Sequence, residues 1–157
     1  MSKNTGIPYE ILTQQIFQAL HDQDRVKNIK VQHNVELQGK TLKHQIDVYW
    51  EYELGGVVYR AVVQAKDWAT QAVTQNQLLA FKAILEDLPG QPRGIFVTRT
   101  GYQSGAKDFA KANGIVLYEL REPTAQDLDG KVMTSRHEPD LFYTNKYMAL
   151  IEKELFS

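Results

Sequence analysis

The chain has 157 residues and a mass of 18.0 kDa, a length that suits one domain with a sizeable core and argues against two. Apolar residues make up 43% and charged residues 24%, which is typical of a globular protein and not of a disordered segment. The formal net charge of -1 argues against a protein that coats nucleic acid through bulk positive charge, and the lack of cysteine excludes disulfides and zinc-thiolate sites.

No apolar run approaches the length that crosses a bilayer, and the first residues, MSKNTGIPYE, lack the apolar region of a secretory signal. We therefore expect a cytoplasmic protein without membrane contact. Any metal must have oxygen or imidazole ligands, because there is no thiolate. The histidines lack a zinc-ligand spacing such as i, i+4, which argues against a zinc site: His21, His33, His44 and His137.

The first half of the chain predicts one helix followed by three strands. Residues 8–21 place apolar side chains on one helical face and begin with a proline at a first-turn position. Residues 28–37 alternate between apolar and polar side chains and predict a strand. Residues 45–66, QIDVYWEYELGGVVYRAVVQAK, predict a hairpin of two strands around a Gly-Gly turn.

The second half predicts two more helices, each followed by a strand. The predicted elements are a helix at 71–88 ended by Pro89-Gly90, a strand at 94–98, a helix at 102–112 ended by Asn113-Gly114, and a strand at 115–120. The order α-β-β-β-α-β-α-β predicts an α/β sandwich with a central mixed sheet and helices on both faces.

The end of the chain predicts a helix outside this pattern. Residues 122–131, EPTAQDLDGK, predict a flexible connection, and residues 145–157, NKYMALIEKELFS, predict an amphipathic helix. We expect this helix to dock on its own domain. A contact in a homodimer is the alternative that a single sequence leaves open.

The hairpin turn at Gly55-Gly56 suits positive φ angles and fixes the register of its strands, so that opposing residue numbers sum to 111. This register pairs apolar with apolar residues and an acid with a base. The predicted pairs are Leu54 with Val57, Glu51 with Arg60, Trp50 with Ala61, Val48 with Val63, and Asp47 with Gln64.

Strand alternation predicts one polar face that carries Asp47, Gln64 and Lys66. The other face is predicted to be apolar: Ile46, Val48, Trp50, Tyr52, Ala61, Val63 and Ala65. Opposing Cβ atoms lie roughly 4.5 to 5.5 Å apart. The Asp47 carboxylate, the Gln64 amide oxygen and the Ala65 carbonyl would therefore reach one Mg²⁺. Such a site would suit the cleavage of a phosphodiester, in which Lys66 would position the attacking water or neutralise the charge that builds on phosphorus. The alternative is a solvated strand with no catalytic role.

At these residues the chain resembles the PD-(D/E)XK nuclease superfamily, and within it the Mrr-like restriction endonuclease catalytic domain. The strand acid matches Asp47 in QIDVYW, and the motif Gln64-Ala65-Lys66 in VVQAKDW matches (Glu/Gln)-x-Lys. The helix acid matches Glu10 in GIPYEILTQQI, and the segment FVTRTGYQSGAKDFAKANGIVLYEL resembles the closing strand-helix-strand unit. The resemblance covers roughly residues 6–121.

The resemblance implies a restriction-endonuclease-like fold and a DNA endonuclease that uses Mg²⁺ or Mn²⁺. It adds Glu10 to the metal ligands Asp47, Gln64 and Ala65, and makes Lys66 catalytic. We expect a catalytic core at residues 1–121 and an extension at 122–157 within the same domain.

Two departures from the family pattern leave other functions open. Gln64 is neutral where the superfamily pattern has an acid, and we expect no separate DNA-reading domain in a chain of this length. The alternatives are a weak or inactive module that binds nucleic acid or protein, and a junction-resolving nuclease that acts as a dimer.

Four further residues are candidates for contact with nucleic acid. Gln77 interrupts the apolar stripe of its helix and would reach Lys66 or a phosphate; the alternative is a glutamine bonded to backbone. Arg99, Thr100 and the amides around Tyr102 lie where a strand leads into a helix, and free N–H groups at such a junction favour a phosphate.

Overall fold

The computed structural model describes residues 7–23, 29–67, 70–121, 141–144 and 147–151. Its elements in chain order are α1 (Ile7–Gln23), β1 (Gln32–Gln38), β2 (Lys43–Leu54), β3 (Val57–Lys66), α2 (Gln75–Asp87), β4 (Arg93–Thr98), α3 (Ser104–Asn113), β5 (Val116–Arg121), β6 (Leu141–Thr144) and β7 (Tyr147–Ile151). The predicted order is confirmed through β5. None of the helices in these ranges has the length and apolar character needed to cross a membrane.

The strands form one mixed sheet in the order β1-β2-β3-β4-β5-β7-β6. Strands β1, β2 and β3 are antiparallel neighbours, and β3, β4 and β5 run parallel to one another. Helices α2 and α3 form the connections between the parallel strands, as crossovers of this kind require. The structure confirms the predicted α/β fold with a mixed central sheet.

Apolar side chains cover both faces of the sheet and form two cores. On one face, Tyr9, Ile16 and Phe17 of α1 pack over the core that contains Val48, Val63 and Val97. On the other face, Leu78 and Phe81 of α2 and two alanines of α3 pack over the core that contains Val62, Phe96 and Leu117. Successive strand residues alternate between the two cores, because side chains in a strand point alternately to opposite faces.

The helix ends follow local signals. Helix α2 begins at Gln75, later than the predicted residue 71, because Thr74 is the N-cap and its N–H donates to the Gln77 side-chain oxygen over 2.7 Å. It ends at Asp87, before the predicted Pro89-Gly90 stop. Helix α3 ends at Asn113, and Gly114 takes the left-handed conformation with φ of 66°.

The hairpin register is confirmed from the turn inward. Gly55 and Gly56 have φ angles of 61° and 80°, which suit a tight hairpin turn. The observed pairs include Leu54 with Val57, Glu51 with Arg60, Trp50 with Ala61, and Val48 with Val63. The ladder ends at this last pair, so the predicted pair of Asp47 with Gln64 is not part of it.

The alternation of β2 breaks at Asp47, and the predicted face of Ile46 is wrong. Ile46 belongs to the core under α2 and α3, whereas Val48 belongs to the core under α1. In β1, Asn34 has a left-handed φ of 57°, a conformation that asparagine tolerates better than most residues. Asn34 lies between residues paired with Ile46 and Val48, so both strands are irregular at the same point.

The predicted C-terminal helix is wrong for the residues that the structure describes. Tyr147–Ile151 form strand β7, which pairs antiparallel with β5 and with β6. A short apolar segment fits a helix or a strand by periodicity, and the unpaired backbone groups of β5 favour the strand. The homodimer contact proposed for that helix loses its basis, and the predicted flexible stretch 122–131 lies outside the described residues.

Candidate functional site

The site forms where β2 and β3 part. Asp47 lies just beyond the last β2–β3 pair, and its Oδ2 accepts the N–H of Ala65 over 2.9 Å. The carboxylate therefore takes the place of a strand backbone acceptor, in the gap between the two strands.

Glu10 reaches the same place from the first turn of α1. Glu10 raises the pKa of Asp47 through its charge and its side chain, so the two carboxyl groups lie close together. Glu10 Oε2 also lies 3.2 Å from Nε2 of His33 in β1. The structure thus brings together the helix acid and the strand acid that the sequence predicted.

The electrostatics of Asp47 are unusual for an aspartate. Burial raises its pKa from 3.8 to about 6, against the lowering effect of the Ala65 amide. The Glu10 charge raises this pKa further, and the Lys66 charge lowers it. Two carboxylates in a partly buried position repel each other, and a cation between them would relieve that repulsion.

Gln64 and Lys66 stand on the β3 side of the gap. Their neighbours Val63 and Ala65 belong to the core under α1, and alternation sets Gln64 and Lys66 on one common side of β3. The Lys66 charge lowers the pKa of Asp47, so this amine lies near the Asp47 carboxylate. Both are partly buried, and in the described ranges their side chains form no hydrogen bond or ion pair. Apart from the charge interaction of Lys66 with Asp47, this amine and this amide are available to bind a ligand.

The residues could bind a hard divalent cation only if carboxylate, amide and backbone carbonyl oxygens act together as its ligands. Within the described part of the chain, no group of three or more His, Asp or Glu side chains is arranged to hold a metal. The carboxylates of Asp47 and Glu10 would therefore need the Gln64 amide oxygen and the Ala65 carbonyl. All four donors are oxygens, which are the ligands that Mg²⁺ and Mn²⁺ prefer.

Three of the predicted nucleic-acid contacts have other partners in the structure. The Gln77 side-chain oxygen accepts from Thr74, so the backbone-bonded alternative is the one observed. The Thr100 hydroxyl donates to the Gln71 carbonyl over 2.8 Å. Tyr102 is 9% exposed, and its hydroxyl lies 2.8 Å from two backbone carbonyls, so its side chain belongs to the core.

The fourth, Arg99, is paired with an acid that the sequence interpretation missed. Its Nε donates to Oδ1 of Asp67, the residue after Lys66, over 2.5 Å. His33 was also missed, although pairing β1 with β2 sets it opposite Val48, beside Asp47. The position of His33 near Asp47 could have been predicted from the pairing of β1 with β2. Nothing in the sequence spacing predicted that Asp67 contacts Arg99.

The fold and this arrangement define a restriction-endonuclease-like domain, and comparisons with known proteins agree. The sequence model of the restriction endonuclease family of the Mrr catalytic type matches residues 9–122. The chain therefore belongs to this family of nucleases, in which divalent metals are generally used. No curated protein matches the chain significantly.

Two solved structures share the fold. A protein of unknown function, AF1548, superposes with a TM-score of 0.56 and 21% identity over 69% of this chain and 56% of its own. The MspJI restriction endonuclease, in complex with a 27-mer oligonucleotide, gives a TM-score of 0.51 and 15% identity over 72% of this chain. This match spans 25% of the MspJI chain, so this chain corresponds to a part of that enzyme.

Proposed function

We propose that this protein is a metal-dependent DNA endonuclease that hydrolyses phosphodiester bonds. The observation that carries the proposal is the Asp47 carboxylate, held at the Ala65 N–H in the gap between β2 and β3 and close enough to Glu10 and Lys66 for both to shift its pKa. A nuclease needs negative ligands for a cation and a positive group for the phosphate in one place. These residues supply both.

The residues would have two different roles, which depend on their charge. Asp47, Glu10, Gln64 and the Ala65 carbonyl would hold Mg²⁺ or Mn²⁺, which would stabilise the charge that develops on the phosphate. The Lys66 ammonium, whose side chain forms no hydrogen bond in the described ranges, would orient the attacking water or donate to a phosphate oxygen. The neutral Gln64 leaves the site with one negative charge fewer than a third carboxylate would give.

DNA as the substrate is part of the proposal. It is supported by membership of the restriction endonuclease family and by the oligonucleotide that the MspJI structure contains. We place the protein with restriction-type enzymes for the same reason.

Plasmid cleavage tests the proposal. Supercoiled plasmid is incubated with wild type, Asp47→Ala and a control variant, Glu86→Gln, which changes an exposed carboxylate paired with Lys82 on α2. We expect nicked or linear DNA with Mg²⁺ or Mn²⁺ from wild type and from the control, and none with EDTA or from Asp47→Ala. Equal cleavage by Asp47→Ala, or none by wild type on any DNA form, contradicts the proposal.

A second candidate is a module that binds DNA without cutting it, and one observation favours it. The described residues contain no cluster of three acidic or histidine side chains for a metal, and Gln64 is neutral. Such a module would bind DNA equally in EDTA and in Mg²⁺, and Asp47→Ala would not change its affinity. Fluorescence anisotropy with a labelled duplex separates it from the nuclease.

A further inference from the structure

An ion pair outside the predicted ligand set joins the ends of two strands at the site. Asp67 directly follows Lys66, and its side chain is 3% exposed. Its Oδ1 accepts from Arg99 Nε over 2.5 Å, while in the described ranges its Oδ2 is buried without a hydrogen-bond partner. A buried carboxylate with one oxygen unsatisfied is costly, which calls for an explanation.

The position of the pair follows from the sheet register. Lys66 of β3 pairs in parallel with Thr98 of β4, and this is the last pair between these strands. Asp67 directly follows the end of β3, and Arg99 directly follows the end of β4. Their side chains therefore join β3 to β4 just past Lys66, where the backbone ladder no longer does so.

The same arginine also contacts α1. The Arg99 guanidinium carbon lies 4.9 Å from the centre of the Tyr9 ring, within the range of a cation–π contact. Tyr9 is 1% exposed, and its hydroxyl donates to the Leu120 carbonyl of β5 over 2.8 Å. Tyr9 directly precedes Glu10, so the contact lies next to the helix acid of the site.

Each end of this chain of contacts is thus adjacent in sequence to a residue of the proposed site. Asp67 is next to Lys66, Tyr9 is next to Glu10, and Arg99 contacts both Asp67 and Tyr9. The guanidinium suits this position because its planar group can donate to a carboxylate and stack on a ring at once.

We propose that Asp67 and Arg99 are positioning residues of the nuclease, which hold Lys66 and Glu10 at a fixed distance from each other across the site. The inference rests on the proposed function. It assigns Arg99 to orientation of the site, because its guanidinium both pairs with Asp67 and lies over the Tyr9 ring. Small displacements of catalytic groups reduce the rate strongly even when binding is unchanged.

Steady-state kinetics on a fluorogenic DNA substrate with Mn²⁺ separate positioning from other roles. We expect Asp67→Asn and Arg99→Met each to lower kcat about 10- to 100-fold with KM within about twofold of wild type. The double variant should be no slower than the slower single variant, because the two residues act as a unit. Arg121→Met is the control, since it breaks a comparable pair with Glu119 at the end of β5 and should keep kcat.

Two outcomes in this assay overturn the proposal. If Arg99 binds a phosphate, Arg99→Met raises KM, makes KM less dependent on salt and leaves kcat unchanged. Arg99→Lys then restores the KM of wild type. If the pair has a structural role only, the variants lower the unfolding temperature while kcat remains that of wild type.

A second measurement distinguishes failure of this inference from failure of the proposed function. Mn²⁺ should raise the unfolding temperature of wild type and of Arg121→Met, and less so that of Asp67→Asn and Arg99→Met, because Glu10 is no longer held near Asp47. If wild type does not cleave DNA but shows this pattern, the positioning role stands and the nuclease proposal fails. An equal Mn²⁺ effect in all four proteins contradicts the positioning role.

Discussion

Replacement of Asp47 by asparagine should stabilise the metal-free protein at neutral pH. Asparagine is nearly isosteric, and its side-chain oxygen can still accept the Ala65 N–H. It removes the negative charge that burial and the Glu10 carboxylate disfavour. A substitution in a catalytic site that raises stability is expected where function imposes unfavourable charges.

The size and sign follow from the pKa of Asp47. Folding raises this pKa from 3.8 to about 6, so the folded protein binds a proton that the unfolded chain releases between these values. The stability that Asp47 contributes is present below pH 3.8 and is lost as the pH rises through 6. At about 1.4 kcal/mol per pKa unit, the ionised group costs roughly 1 to 3 kcal/mol at pH 8.

Thermal and urea unfolding in EDTA at pH 8 and pH 4 measure this effect. We expect Asp47→Asn to gain roughly 1 to 3 kcal/mol at pH 8, a rise of about 2 to 12 °C for a domain of this size, and much less at pH 4. With Mn²⁺ added, wild type should gain stability and the variant should not. A variant less stable than wild type at pH 8, or equally stabilised at both pH values, refutes the reasoning.

Three other substitutions test the site and its support. Lys66→Met should lower DNA cleavage at least about 100-fold while the Mn²⁺-induced rise in unfolding temperature persists, because the amine acts on the phosphate and not on the metal. Gln64→Glu should tighten Mn²⁺ binding about tenfold in calorimetry, since it adds a carboxylate to the donor set; unchanged affinity would exclude Gln64 as a ligand. Asp87→Asn should lower the unfolding temperature at pH 7, because the Asp87 carboxylate accepts from Thr41 and contacts His44 at 2.7 Å. These contacts hold the pKa of Asp87 at about 2, so the difference from wild type should disappear as the pH falls through that value.

Local signals were sufficient for most of the fold. The Gly55-Gly56 turn set the hairpin register correctly, because two residues with positive φ leave one pairing that keeps apolar side chains opposite each other. The ends of α2 and α3 followed from Pro89 and Gly114, whose backbone restrictions are local. Such features depend on few residues and are readable in a single sequence.

Features that depend on tertiary contacts could not be predicted from the sequence. The left-handed conformation of Asn34 and the change of face at Asp47 arise together in paired strands. Val31 lies in the core under α1, whereas Val35 and Leu37 pack against the core under α2 and α3, although all three stand at odd positions in the sequence. Strand β7 depends on the unpaired edge of β5, which lies some 30 residues earlier in the chain. The contact of Asp67 with Arg99 likewise requires the parallel pairing of β3 with β4.

The members of the site stay a prediction, and its geometry differs from the predicted one. Glu10 acts on the pKa of Asp47, and Asp47 contacts β3 at the Ala65 amide instead of pairing with Gln64. The prediction that side chains alternate every two residues assumes that a strand is regular to its end. Strands β2 and β3 do not meet that condition, because their regular ladder ends at Val48 and Val63, one residue before Asp47.

The location of a bound cation tests the central claim most directly. Crystals soaked in MnCl₂ and measured at the manganese absorption edge give an anomalous difference map that shows the ion independently of the protein coordinates. The account predicts a peak about 2 Å from carboxylate oxygens of Asp47 and Glu10, with the Gln64 amide oxygen or the Ala65 carbonyl among the other ligands. A saturating soak with no peak in the gap between β2 and β3, or with Mn²⁺ bound elsewhere, contradicts the account.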